Sequence, residues 1–183
     1  MKVDPRQYRQ TIGLFATGVT VVATEVEGEI HAMTANAITS VSLEPVLLLV
    51  CVGKKARMAA YLAETRLFSI NILRREQQSL SNYFAGSWKE ETPPPFRFVH
   101  WEGGPRLEGA LAALGCRRAQ ILDGGDHWIV IGEVIALHRG IEPHQPLLFY
   151  KGRYAQLDPA PQPRAPDLGF NEEPVLVFYD PWE

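Results

Sequence analysis

Apolar positions recur with period two along most of the chain, and with the helical period in only a few short stretches. Asp4 to Thr17 reads as a helix. Asp4 suits the N-cap, Pro5 the first helical position, and Tyr8, Ile12 and Phe15 form an apolar stripe that Thr17-Gly18 ends. Val19 to Val26 is rich in β-branched residues and reads as a strand, closed by a hairpin turn at Glu27-Gly28-Glu29. The next two strands fall within His31 to Val52. A run of small and hydroxylated residues (Thr34, Ala35, Asn36, Ala37, Thr39, Ser40, Ser42) ends at a Glu44-Pro45 turn. An unbroken apolar run, Val46 to Val52, then reads as a fully buried strand.

Further along, Ala56 to Ala63 reads as a short helix with Met58, Tyr61 and Leu62 inward. Leu67 to Leu73 is a strand whose Ser69 and Asn71 alternate with Phe68, Ile70 and Ile72, which predicts a single apolar face. Glu76 to Phe84 is a helix ending near Gly86. Ser87 to Pro95 is a surface loop, Phe96 to Trp101 a short strand and Gly103-Gly104-Pro105 a turn. Leu107 to Leu122 reads as a long strand, with helix an option up to Leu114. Asp123-Gly124-Gly125-Asp126 is a hairpin turn, and His127 to His138 the partner strand. Leu147 to Leu157, turning at Gly152, ends this region. From Asp158 the chain is proline-rich and reads as an extended tail. Glu173 to Glu183 turns apolar again, so the tail is expected to dock on its own barrel or on a second subunit. The expected organisation is one domain over residues 1–157 and a C-terminal extension over 158–183. Turn signals rather than long helices separate the strands, so the fold class is mainly β, an antiparallel barrel with a few short helices.

Composition narrows the function. The 183 residues are 46% hydrophobic with a formal net charge of −3 and no block of like charge, which argues against nucleic-acid and membrane-surface partners. Seven residues is the longest strictly apolar run, too short for a membrane span, and the N-terminus has no apolar signal core. A cytoplasmic protein is expected. Cys51 and Cys116 sit in apolar strands and read as two buried free thiols, with one disulfide as the alternative. The five histidines are scattered, without metal-ligand spacing, so no metal site is expected.

No Gly-x-Gly-x-x-Gly, P-loop or Gly-x-Ser-x-Gly pattern is present. With no strong nucleophile or metal-activated water in sight, the chemistry would come from a bound cofactor that the protein positions. Small side chains over Thr34 to Ser42 would let a flat ligand lie against the backbone; a polar barrel strand would read the same way. Lys54, Lys55 and Arg57 stand at a strand-to-helix junction, where a helix N-terminus favours an anion; a solvated basic loop is the alternative. His127 follows the hairpin turn, where its ring could reach a cleft and donate to a ligand carbonyl, phosphate or amide. A partly exposed turn histidine would look the same.

Five blocks in order carry a resemblance: ATGVTVVAT (16–24), MTANAITSVSLEP (33–45), LLLVCV (47–52), GDHWIVIGEV (125–134) and PLLFYKGRY (146–154). Together they are similar to the flavin reductase-like, FMN-binding split-barrel family, and to its subgroup of small reductase components of two-component flavin monooxygenases. The resemblance spans Tyr8 to Leu157. It implies a six-stranded antiparallel split barrel (Greek key), a homodimer, and reduction of FMN, or FAD, by NADH or NADPH for a separate oxygenase. Carried over by motif, Thr34, Ala35, Asn36 and Ala37 would meet the ribityl chain and ring, and Thr39 and Ser40 the isoalloxazine edge. Cys51 and Val52 would lie beneath the ribityl phosphate, and Lys55, Ala56 and Arg57 around the phosphate. His127, the catalytic candidate, would orient the nicotinamide. The family often carries Ser or Thr among the positions filled here by Lys55, Ala56 and Met58. A flavin carrier or electron-transfer protein is the rival reading, and an oxidase of the pyridoxamine-phosphate type a third.

Overall fold

The architecture starts from tight hairpins. Glu27 and Gly28 both take positive φ, 51° and 82°, which matches a two-residue turn to the right-handed twist of its strands. Gly125, at φ 82°, opens the equivalent turn between two thirteen-residue strands. A computed structural model describes residues 2–140 and 144–157. The expected extension over 158–183 and its docking lie outside the described residues.

The described elements, in chain order, begin with helix α1 (Pro5–Ile12) and strands β1 (Thr17–Gly18), β2 (Thr20–Val26), β3 (Glu29–Ala35), β4 (Ile38–Leu43) and β5 (Val46–Gly53). Helix α2 (Arg57–Glu64), β6 (Leu67–Ile72), a 3₁₀ turn (Arg75–Gln77) and α3 (Gln78–Phe84) follow. The chain continues through β7 (Phe98–Val99), β8 (Arg106–Leu107), β9 (Ala112–Gly124), β10 (His127–Arg139), β11 (Leu148–Tyr150) and β12 (Arg153–Ala155). The fold is mainly β and antiparallel, as expected. The principal sheet holds seven strands in the order β3-β2-β6-β9-β10-β5-β4, where six were expected, and small sheets β1-β11-β12 and β7-β8 flank it.

That sheet curls around one core. Val22, Val50, Val52, Phe68, Ile70 and Val130 come from four of its strands, and Met58 and Leu62 of α2 close the cluster. A second cluster lies on the other face of β2 and β6, built from Val19, Val21, Leu73, Leu80, Leu107 and Leu147. Strand β6 is therefore covered on both sides, and the single apolar face expected from its alternation is corrected: Ser69 and Asn71 are fully buried. Asn71 solves the polar problem of its position. Its amide donates to the Val21 carbonyl at 3.0 Å and to Ser69 Oγ at 2.9 Å, and its carbonyl accepts from Leu107 N at 2.8 Å. Ser69 Oγ in turn donates to the Pro105 carbonyl. The loop carrying these partners lies so close to β9 that a Cβ on Gly115 would stand 2.6 Å from the Gly103 Cα, which only glycine tolerates.

Two further expectations are corrected. The first helix ends at Ile12 rather than Thr17, because Thr17 and Gly18 pair with Phe149 and Leu148 as strand β1. Its stripe is not buried: Tyr8, Ile12 and Phe15 are 59%, 52% and 72% exposed. The run Val46 to Val52 is not buried on both faces either. It alternates, with Leu48, Val50 and Val52 in the core and Leu47, Leu49 and Cys51 only partly buried on the opposite face, as an antiparallel sheet with one covered face allows.

Candidate functional site

Strand parity decides what the central stretch can present. Thr39 pairs with Leu49 and Ile129 with Cys51, so Thr39, Leu49, Cys51 and Ile129 share the outer face of the sheet. Ser40 pairs with Leu48 and Ile38 with Val50, on the core face. Thr39 and Ser40 therefore point to opposite sides, and one flat ring cannot rest on both side chains. Val52 is fully buried in the core, so the contact expected of it is corrected to at most a backbone one.

Three adjoining clefts run past β3. The first, about 580 Å³, lies between Met33 of β3, the N-terminal turn of α2 (Ala56, Arg57, Met58) and the end of α3 (Tyr83 to Gly86). The second, about 160 Å³, is lined by Thr34, Ala35, Asn36, Ala85, Phe149 and Tyr154. The third, about 520 Å³, holds Asn36, Ala37, Thr39, Cys51, Arg9 and Lys151 among its walls. Ala85 is common to the first two, and Asn36 and Phe149 to the last two, so the clefts form one groove.

The groove walls are pinned by hydrogen bonds. Thr34 Oγ1 donates to the Ser81 carbonyl at 2.7 Å. Tyr154 Oη donates to Asn82 Oδ1 at 2.8 Å and is hydrogen-bonded to Ser81 Oγ at 2.9 Å, which ties the β11–β12 hairpin to α3. Asn36 Nδ2 donates to Thr17 Oγ1 at 3.1 Å, and Cys51 N to the Ala37 carbonyl at 3.0 Å. At the first cleft, α2 starts from Ala56 with no side-chain cap, and Ala56, Arg57 and Met58 of that uncapped turn line the groove. That donor set suits a phosphate ester. Lys54, by contrast, is turned away: its ammonium pairs with Asp123 and lies 4.3 Å from the Trp128 ring centre.

His127 stands where β5 leads into α2. It pairs with Gly53 and has the same parity as Ile129, so its ring lies on the face of Cys51 and Thr39. A Cβ on Gly53 would meet its Nε2 at 3.7 Å, so the glycine leaves the ring room. Asp126 Oδ1 lies 2.7 Å from His127 Nδ1, and this hydrogen bond holds the Asp126 carboxyl below the usual range. An Asp126 carboxylate accepting from Nδ1–H leaves Nε2 turned toward Gly53. Both cysteines are free. Burial raises the Cys51 thiol and pushes Cys116 up to about 12, so both stay protonated near neutrality and neither is primed as a nucleophile.

Of the residues expected from sequence, the groove brings together Thr34, Ala35, Asn36, Ala37, Thr39, Cys51, Ala56 and Arg57. Lys55 is exposed beside the α2 turn, and Ser40 and Val52 face the core. Sequence reasoning missed Arg9, Phe149, Lys151 and Tyr154 as walls, although three of them lie in the matched block PLLFYKGRY. It also read His31 as a surface residue, whereas its ring stacks on Tyr61 with centroids 3.8 Å apart beside the first cleft. Among the described residues, no group of three or more His, Cys, Asp or Glu is placed to hold a metal ion.

Comparison with known proteins gives a consistent set of likenesses. The family model described as "Flavin reductase like domain" matches residues 12–158. The chain is 41% identical over 160 residues to an NADH-dependent flavin reductase from a Rhodococcus species, covering 86% of this chain and 89% of that one. It is 36% identical over 173 residues to the reductase subunit HsaB of a flavin-dependent monooxygenase from Rhodococcus jostii, covering 91% and 86%. The solved structure of flavin reductase PheA2 in its native state superposes with a TM-score of 0.80 at 42% identity, covering 85% of this chain and 99% of that one.

Proposed function

The chain belongs to the flavin reductase-like family, and from that premise we propose that it uses NADH to reduce flavin in the groove beside β3, for a separate oxygenase component. The observation that carries this reading is the continuity of the groove: a phosphate-suited helix start at one end and a cleft walled by Thr39, Leu49 and Cys51, on the sheet face that also carries His127, at the other. Bound there, the flavin would accept a hydride from the nicotinamide. The protein's share is positional, since reacting atoms must approach to about 3–3.5 Å. The α2 amides, Lys55 and Arg57 hold the phosphate. Thr34 to Ala37 line the ribityl stretch, and Thr39 and Cys51 flank the ring. His127 Nε2 orients the nicotinamide. The domain is residues 1–157, with 158–183 as its extension.

The partner reading rests on different support. Leu43 and Val46 pair across β4 and β5, and with Val41 they leave large apolar side chains at least two-fifths exposed at one edge of the principal sheet. A second copy of the chain covers this surface in the proposed homodimer. Residence in the cytoplasm is part of the proposal; among the described residues, no helix is long and apolar enough to cross a membrane.

The deciding experiment follows NADH oxidation at 340 nm with purified protein, with and without FMN or FAD. Oxidation that saturates with added flavin supports the reductase. A protein that holds flavin through the assay and oxidises neither NADH nor NADPH would instead be a carrier. The phosphate assignment has its own check. The double change Lys55→Ala, Arg57→Ala is expected to weaken FMN binding about tenfold or more while leaving riboflavin, which lacks the phosphate, unchanged. Equal losses for both ligands would place the phosphate elsewhere.

A further inference from the structure

We propose that Arg9 and Lys151 form an anion subsite for the diphosphate of the nicotinamide substrate, at the end of the groove opposite the flavin phosphate. Both residues line the third cleft. Both also line a further cleft of about 450 Å³, which shares Gly13 and Gly152 with it and continues outward. The open space beside the ring position thus leads directly between two cations. Among the described residues, Arg9 and Lys151 are the charged residues lining these two clefts, and no carboxylate lines either of them.

Their placement is built into the fold. Lys151 N donates to the Gly13 carbonyl at 2.9 Å, which fixes the β11–β12 turn against the end of α1. Lys151 itself takes φ 50°, and Gly152 φ 74° completes that turn. Gly13 N donates to the Arg9 carbonyl at 3.0 Å, so one short chain of contacts carries both cations. Arg9 also helps lower Asp126, the neighbour of His127, so it lies within electrostatic reach of the hairpin that carries the nicotinamide-orienting ring. On a chain of net charge −3, this is a local positive mouth that would draw a dianion toward the cleft.

Three substrates of this reaction class carry a diphosphate: NADH, NADPH and FAD. The inference rests on the proposed flavin orientation, which sends the flavin phosphate toward α2 and away from α1. A cationic mouth at the α1 end is then left for the dinucleotide that stacks on the ring from outside, and adenosine would lie along the outer cleft.

The test is the double variant Arg9→Gln, Lys151→Gln; both side chains are exposed, so the fold is retained and its thermal midpoint is the control. The KM for NADH is expected to rise about fivefold or more, with kcat and the KM for FMN within twofold of wild type. Reduced nicotinamide riboside, which has no phosphate, should be oxidised equally by both proteins. ADP-ribose, titrated calorimetrically without turnover, should bind the wild type and bind the variant more weakly. An equal loss with the riboside overturns the proposal, as does unchanged ADP-ribose binding. A rise in the KM for FAD but not FMN or NADH would assign the cations to the flavin instead. If neither NADH nor NADPH is oxidised by wild type, the reductase reading fails, while the ADP-ribose titration still decides the subsite.

Discussion

Asn71→Ala is expected to destabilise the protein by about 2–4 kcal/mol, read as a fall in the urea midpoint at unchanged slope. The magnitude comes from two losses at one buried position. Leu107 N would lose the acceptor 2.8 Å away, inside a cluster from which water is excluded. An orphaned buried amide costs about 1–3 kcal/mol, and the vacated side-chain volume adds to this. Asn71 also donates to the Val21 carbonyl and Ser69 Oγ, so the change loosens the strap over β6 that carries Pro105 and Leu107. Asn71→Asp is the informative companion, since it keeps the volume and the acceptor but loses the donors and brings a buried charge. A loss below about 0.5 kcal/mol for Asn71→Ala would mean that the strap is held by packing alone.

His127→Ala is expected to lower kcat/KM for NADH by about 10–100-fold, the worth of one hydrogen bond of about 1.5–3 kcal/mol to a polar group in the reacting complex. Flavin affinity should be unchanged, because the groups proposed to hold the phosphate, Lys55, Arg57 and the first α2 amides, are left in place. Stopped-flow reduction of bound flavin is the readout, and equal rates in variant and wild type would remove the assigned role. Asp126→Asn should cost less, since an amide oxygen still accepts from Nδ1–H at the 2.7 Å contact while the charge is lost.

Much of this was open to reading from the chain alone. The hairpins at Glu27-Gly28 and Gly125, the α2 helix with Met58 and Leu62 inward, and the long β9–β10 pair follow from local rules. Turn chemistry and period-two patterning act over a few residues, so they survive without knowledge of the fold. The matched blocks likewise pointed to the stretch from Thr34 to Thr39, and the basic strand-to-helix junction to Arg57, and the groove contains them. What failed were statements about which face meets what. Ser69 and Asn71 looked solvent-facing because alternation cannot reveal a second layer arriving from residues 105 and 107. Phe15 looked like core because a periodic stripe does not say whether another element of the fold reaches it.

By itself the sequence determined the mainly β class, the hairpin positions, the absence of a nucleotide-binding loop motif and the membership that its ordered blocks announce. These depend on local backbone preference and on short stretches that act as units. Tertiary structure alone decided that Thr39 and Ser40 part to opposite faces, that Val52 turns into the core, and that Arg9, Phe149, Lys151 and Tyr154 reach a groove made by residues 33 to 57. The reason is physical: pairing register and sheet curvature bring together segments more than a hundred residues apart, and no local pattern encodes that distance.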